Sequence, residues 1–108
     1  MSGSSGPDLT AGGGGGAEDD CGQLQLTRWL QGLVPGVADR LTVGDVLEVA
    51  LQEGPPPVVA LTTDSGEVAG SVVPIGRLLE CLRQGVRFVA EVRSASPGAV
   101  LVDIRAAT

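Results

Sequence analysis

The chain has 108 residues, which fits one small domain and no more. It carries 13 acidic and 7 basic residues, a formal charge of −6, and no His, Lys or Tyr. That balance has the wrong sign for a general binder of the phosphate backbone, and it leaves acid–base catalysis to Asp and Glu alone.

Residues 1–20, MSGSSGPDLTAGGGGGAEDD, offer almost nothing apolar to bury, so the entropy of ordering them is not recovered. They read as a disordered Gly/Ser/acidic tail. Asp8, Glu18, Asp19 and Asp20 lie in it, and without them residues 21–108 carry a charge of −2. The glycine run at 12–16 follows no strand and opens no helix, so it is a linker rather than a nucleotide cradle. The folding unit is a single β-rich domain over 21–108. A core that small invites stabilisation by a partner or by self-association.

Cys21 and Cys81 lie far apart in sequence. The chain opens without a charged start and an apolar run, and no apolar stretch is long enough to span a membrane. The expectation is therefore an intracellular, cytoplasmic protein with no membrane partner and two free thiols, Cys81 packed and Cys21 exposed.

In QLQLTRWLQGLV (residues 23–34), Leu26, Trp29, Leu30 and Leu33 recur at helical spacing. This predicts an amphipathic helix begun by Asp19 and Asp20 and ended by Pro35-Gly36. Its Trp29 serves either as a core anchor at one end of the domain or, with Leu26 and Leu33, as a face that docks a partner.

Val46–Gln52 then alternates, with Leu47, Val49 and Leu51 on one face, as in an antiparallel strand. Pro55, Pro56 and Pro57 lack backbone donors and make a stiff corner. Val58–Thr63 and Val68–Val73 flank Asp64-Ser65-Gly66-Glu67, a hairpin turn with Gly66 free to adopt positive φ. Gly70 inside the second arm marks a bulge or a close backbone approach.

Pro74 opens a second helix with an Ile75, Leu78, Leu79, Leu82 stripe, and Gly85 stops it. Val86–Arg93 and Ala99–Arg105 are further alternating strands. The fold class is mainly β with helices (α+β). It is a small curved sheet or open barrel of five to six strands, with one helix between strands three and four and one N-terminal amphipathic helix.

Catalytic chemistry is not indicated. No Cys has a His partner, no Ser sits in a nucleophile motif, and two thiols without His make no zinc site. No cofactor or metal is expected. The cationic groups in the second half are Arg77, Arg83, Arg87, Arg93 and Arg105. They either converge on an anion or form ion pairs with Glu80, Glu91 and Asp103 in the same segments.

Residues 43–105 resemble a HIRAN domain. The resemblance rests on Gly44-Asp45-Val46-Leu47-Glu48-Val49, Val59-Ala60-Leu61, Gly66, the Val68–Pro74 run, Leu78-Leu79, Leu82, Gly85 and Phe88-Val89-Ala90-Glu91-Val92. It implies a small β-barrel and association with single-stranded DNA ends. Arg77, Arg83, Arg87 and Arg93 would then meet phosphates, with Gly70 and Ser71 near a terminal nucleotide. Ser71 stands where the family often has an aromatic residue or His, and Ser cannot stack on a base. Asp64 to Val72 also resembles the D-x-G-x-x-x-G-x-V turn of PRC-barrel domains, which serve as assembly and adaptor modules. Two functions follow: a HIRAN-like module for single-stranded DNA, or a protein-interaction module with a protein partner or a second copy.

Overall fold

The computed structural model describes residues 21–107. The expected disorder of 1–20 and the capping role of Asp19 and Asp20 lie outside the described residues. The elements run β1 (Gln25–Trp29), α1 (Pro35–Ala38), β2 (Val46–Gln52), β3 (Val58–Thr62), β4 (Val68–Val72), α2 (Gly76–Arg83), β5 (Phe88–Ser96) and β6 (Ala99–Ala106). Residues 21–23 are also helical. The strands form one antiparallel six-stranded sheet, ordered β1-β6-β5-β2-β3-β4 and curled into a half-barrel.

The alternation read from the sequence sets the faces. Leu47, Val59, Leu61, Phe88, Ala90, Val92, Val100, Val102 and Ile104 point into the concave side and are buried. The helix α2 closes this core with Leu78 and Cys81 buried, while Ile75, Leu79 and Leu82 pack against it less deeply. It begins at Gly76, after an extended Ile75, rather than at Pro74. In the hairpin, Gly66 has φ +88°, as a tight turn requires. The Thr63 hydroxyl accepts the Glu67 N–H at 3.2 Å.

Two expectations are overturned. Residues 25–29 form a strand, not the middle of a helix. The same stretch carries a period-2 pattern: Leu24 and Leu26 pack against the core and Leu30 is buried, while Gln25, Thr27 and Trp29 are exposed. The unpaired side of β6 offers these residues a ladder, and tertiary pairing prevails over local helical spacing. Pro35, expected to end a helix, is the first residue of α1 instead.

The cysteines are the second correction. Cys21 and Cys81 are joined in a disulfide, with Cα atoms 5.7 Å apart and a sequence separation of 60. Both are 2% exposed, so Cys21 is not a surface thiol. Sequence spacing alone could not bring them together; the fold of α2 against residues 21–23 does. Closing a loop of that length removes denatured-state entropy worth about 4 kcal/mol in the chain-entropy model.

The sheet's two ends meet through main chain. Past β1 the chain leaves β6, with Leu30 N–H donating to Val100 O at 2.8 Å, and crosses to β4. There Gln31 N–H donates to Ser71 O at 2.7 Å and Ser71 N–H to Gln31 O at 2.9 Å, followed by Val34 N–H to Ala69 O at 3.0 Å. Gly70 permits the crossing: a Cβ there would lie 3.0 Å from Gln31 O and 3.4 Å from Leu33 Cδ2. The close backbone approach expected of this glycine is what the structure contains.

Gly70→Ala should therefore lower the unfolding free energy by about 1–3 kcal/mol, measured by urea denaturation. Gly76→Ala, in open space at the start of α2, should be neutral or stabilising. Equal stabilities for the two variants would contradict this account of the crossing.

Candidate docking edge and charged sheet face

Because Leu30 N–H points at β6, parity directs the N–H groups of Leu26 and Arg28 to β6 as well. The N–H and C=O groups of Gln25, Thr27 and Trp29 then face away from β6. Among the described residues no strand pairs with β1 on that side. Arg28 covers part of the edge, its Nη1 donating to the Thr27 carbonyl at 2.9 Å. It forms no ion pair among the described residues.

Trp29 is 55% exposed, which excludes the core-anchor reading. The three residues expected to share a docking face do not do so. Leu26 turns toward the core, Trp29 turns outward, and Leu33 lies on the crossing segment over Gly70. A helical spacing had grouped them, and a strand separates them.

Ion pairs lie on the sheet's convex face and between α2 and the corner after β2. Arg83 makes two bonds to the Glu53 carboxylate, at 2.9 and 3.0 Å. Arg87 reaches Glu48 at 3.3 Å, Arg93 reaches Asp103 at 3.1 Å, and Arg105 reaches Glu91 at 3.0 Å. Asp103 also accepts the Thr27 hydroxyl at 2.6 Å, which ties β1, β6 and β5 together. Glu91 and Asp103 were the expected partners; Glu48 and Glu53 were not, since β2 and the corner after it are distant in sequence. Arg77 is exposed on α2. These pairs are mostly exposed and each contributes little to stability, but they neutralise the positive charge where it stands.

Gly70 and Ser71 belong to the closure. Gly70 is buried, and both backbone groups of Ser71 are taken by Gln31, with the Ser71 hydroxyl 3.4 Å from the same carbonyl. Neither presents free backbone to a nucleotide. The sequence reading missed Thr27, Arg28 and Gln31. The alternation from Gln23 to Leu30 was the signal that would have placed the first two on an edge strand.

A cavity of about 280 Å³ lies between α1 and the β3–β4 hairpin. Arg40 spans its rim to Glu67 at 2.9 Å, and Asp45, Thr63, Asp64 and Ser65 line it over an apolar floor. Asp45 is occupied in capping the Thr42 N–H at 3.0 Å. Among the described residues no group of three or more His, Cys, Asp or Glu is arranged to hold a metal.

No family model, curated protein or solved structure matches this chain.

The Arg83 side-chain bonds hold the Glu53 carboxyl below the ordinary carboxylate range, and Glu53 in turn raises Arg83. A carboxylate with a depressed folded pKa adds stability above its unfolded pKa and loses that contribution as pH falls through the folded value. Both groups are exposed, so the contribution to stability is small. Arg83→Ala should move the Glu53 pKa upward, read by carboxyl carbon NMR across an acid titration. An unmoved Glu53 would contradict the pairing.

Proposed function

We propose that this domain is a non-enzymatic protein-interaction module that receives an extended segment of a partner protein along the open side of β1. The observation that carries this reading is the edge itself. Gln25, Thr27 and Trp29 direct backbone donors and acceptors away from β6, and the exposed Trp29 stands on the convex side of that edge. Strand addition takes its affinity from main-chain bonds and its specificity from alternate side chains. Here the two faces of the edge offer Trp29, which suits an apolar residue, and Arg28, which suits a carboxylate.

The single-stranded DNA reading implied by the HIRAN resemblance has less support. Arg83, Arg87 and Arg93 are each engaged by a carboxylate, and Phe88, the aromatic residue besides Trp29, is buried. A phosphate would have to displace those carboxylates in a chain of net negative charge. The disulfide favours maturation where thiols are oxidised, in place of the cytoplasmic setting expected from the sequence. No described helix is long and apolar enough to cross a membrane.

The test is selection of short random peptides against the oxidised full chain, with binding sites mapped by backbone NMR. Selected peptides should contain a carboxylate, shift Thr27 and Trp29, and bind about tenfold or more weakly to Trp29→Ser and to Thr27→Pro, which deletes an edge donor. Peptide footprints away from β1 would overturn the proposal. So would salt-sensitive binding of a single-stranded oligonucleotide that Arg87→Glu with Arg93→Glu abolishes.

A further inference from the structure

We infer that the Cys21–Cys81 disulfide is a redox latch on β1, so that the edge strand is held in place only while that bond is intact. As a means of regulating docking, this inference rests on the reading of β1 as the docking edge; as a property of the strand, it stands on the fold alone.

The strand β1 is fastened unequally at its two ends. Its C-terminal end is held firmly, by Leu30 bonding to Val100 and by the paired bonds between Gln31 and Ser71. Among the described residues it pairs along its length with β6 on one side only. Its N-terminal end follows Leu24, whose N–H bonds back to Cys21 O at 3.2 Å, a contact local to that turn. A covalent cross-link, the bond from Cys21 to Cys81, ties that turn to α2. Both cysteines sit within the core cluster with Leu78 and Phe88, so the bond seats residues 21–24 over the end of the sheet.

Reduction would break that seat. A thiolate of a dithiol reductant attacks one sulfur and the S–S bond breaks, forming a mixed disulfide; the reductant's second thiol then displaces it. Two electrons and two protons pass to Cys21 and Cys81, which become thiols, and the reductant leaves as its own disulfide. Burial of both cysteines means that residues 21–24 must open before attack, so the latch releases slowly. Once released, residues 21–26 keep, among the described residues, only one-sided pairing and packing, and the chain-entropy constraint of the cross-link is gone. The first half of the edge would then fray while the Gln31–Ser71 closure persists.

The test is residue-resolved amide exchange on the full chain, oxidised, reduced with dithiothreitol, and as the Cys21→Ser/Cys81→Ser variant. The Leu26 and Arg28 amides, which point to β6, should exchange about tenfold or more faster in the reduced chain and the variant, while Val92, Val102 and Ile104 keep their protection. Unchanged Leu26 and Arg28, or loosening of the whole sheet together, would overturn the latch. This readout needs no partner. Selected peptides that bind oxidised but not reduced protein would extend the latch to docking, and equal binding to both forms would overturn that control. Failure to obtain β1-binding peptides would remove the docking reading and leave the exchange result standing.

Discussion

The fold depends on one main-chain contact: the reciprocal hydrogen bonds between Gln31 and Ser71, made over a glycine. A curled antiparallel sheet has two ends, and each leaves backbone groups unpaired. In this chain the segment that follows β1 leaves one end and bonds to the other. The crossing brings the Gln31 carbonyl so near Gly70 that a Cβ there would stand 3.0 Å away. Gly70 is therefore fixed by geometry, and so is the position of Leu30, which the crossing carries into the core.

That closure also decides where the molecule stays open. The strand and its continuation are shared between two neighbours: β6 takes Gln25 to Leu30, and β4 takes Gln31 onward. Among the described residues, the side of Gln25 to Trp29 away from β6 is left without a strand partner. On the convex face the arginines are drawn to carboxylates from other strands, so the surface is charged without being strongly of one sign. Arg83, Arg87, Arg93 and Arg105 each meet a carboxylate and Trp29 is exposed at a strand edge, which supports the proposed docking of a protein over the binding of a phosphate.

Much of the sheet was legible in sequence because its period is two residues and its inward face is mostly apolar. Val100, Val102 and Ile104 are the clearest case: they alternate, and all three are buried. The hairpin was legible from Gly66, whose positive φ favours glycine, and the close approach from Gly70, where a Cβ would press on the Gln31 carbonyl. The first strand was not. Leu26, Trp29, Leu30 and Leu33 satisfy a helical spacing, whereas Leu24, Leu26 and Leu30 satisfy an extended one, and local pattern cannot weigh in a pairing partner that lies some eighty residues later. The disulfide was hidden for the same reason, since it depends on where α2 lies in space. The site residues drawn from the family resemblance were chosen by residue type. Pairing with carboxylates on other strands is a tertiary fact, and it changed what those arginines can do.

The most direct measurement is amide exchange along residues 25–31 of the oxidised protein, followed residue by residue by NMR. The account predicts an alternation that ends at the crossing: Leu26, Arg28 and Leu30 slow, Thr27 and Trp29 fast, and Gln31 slow again together with Ser71. Uniform protection across the stretch would mean that the edge is covered. Fast exchange at Gln31 and Ser71 would mean that the sheet's ends do not meet, and either result would contradict the structure's central feature.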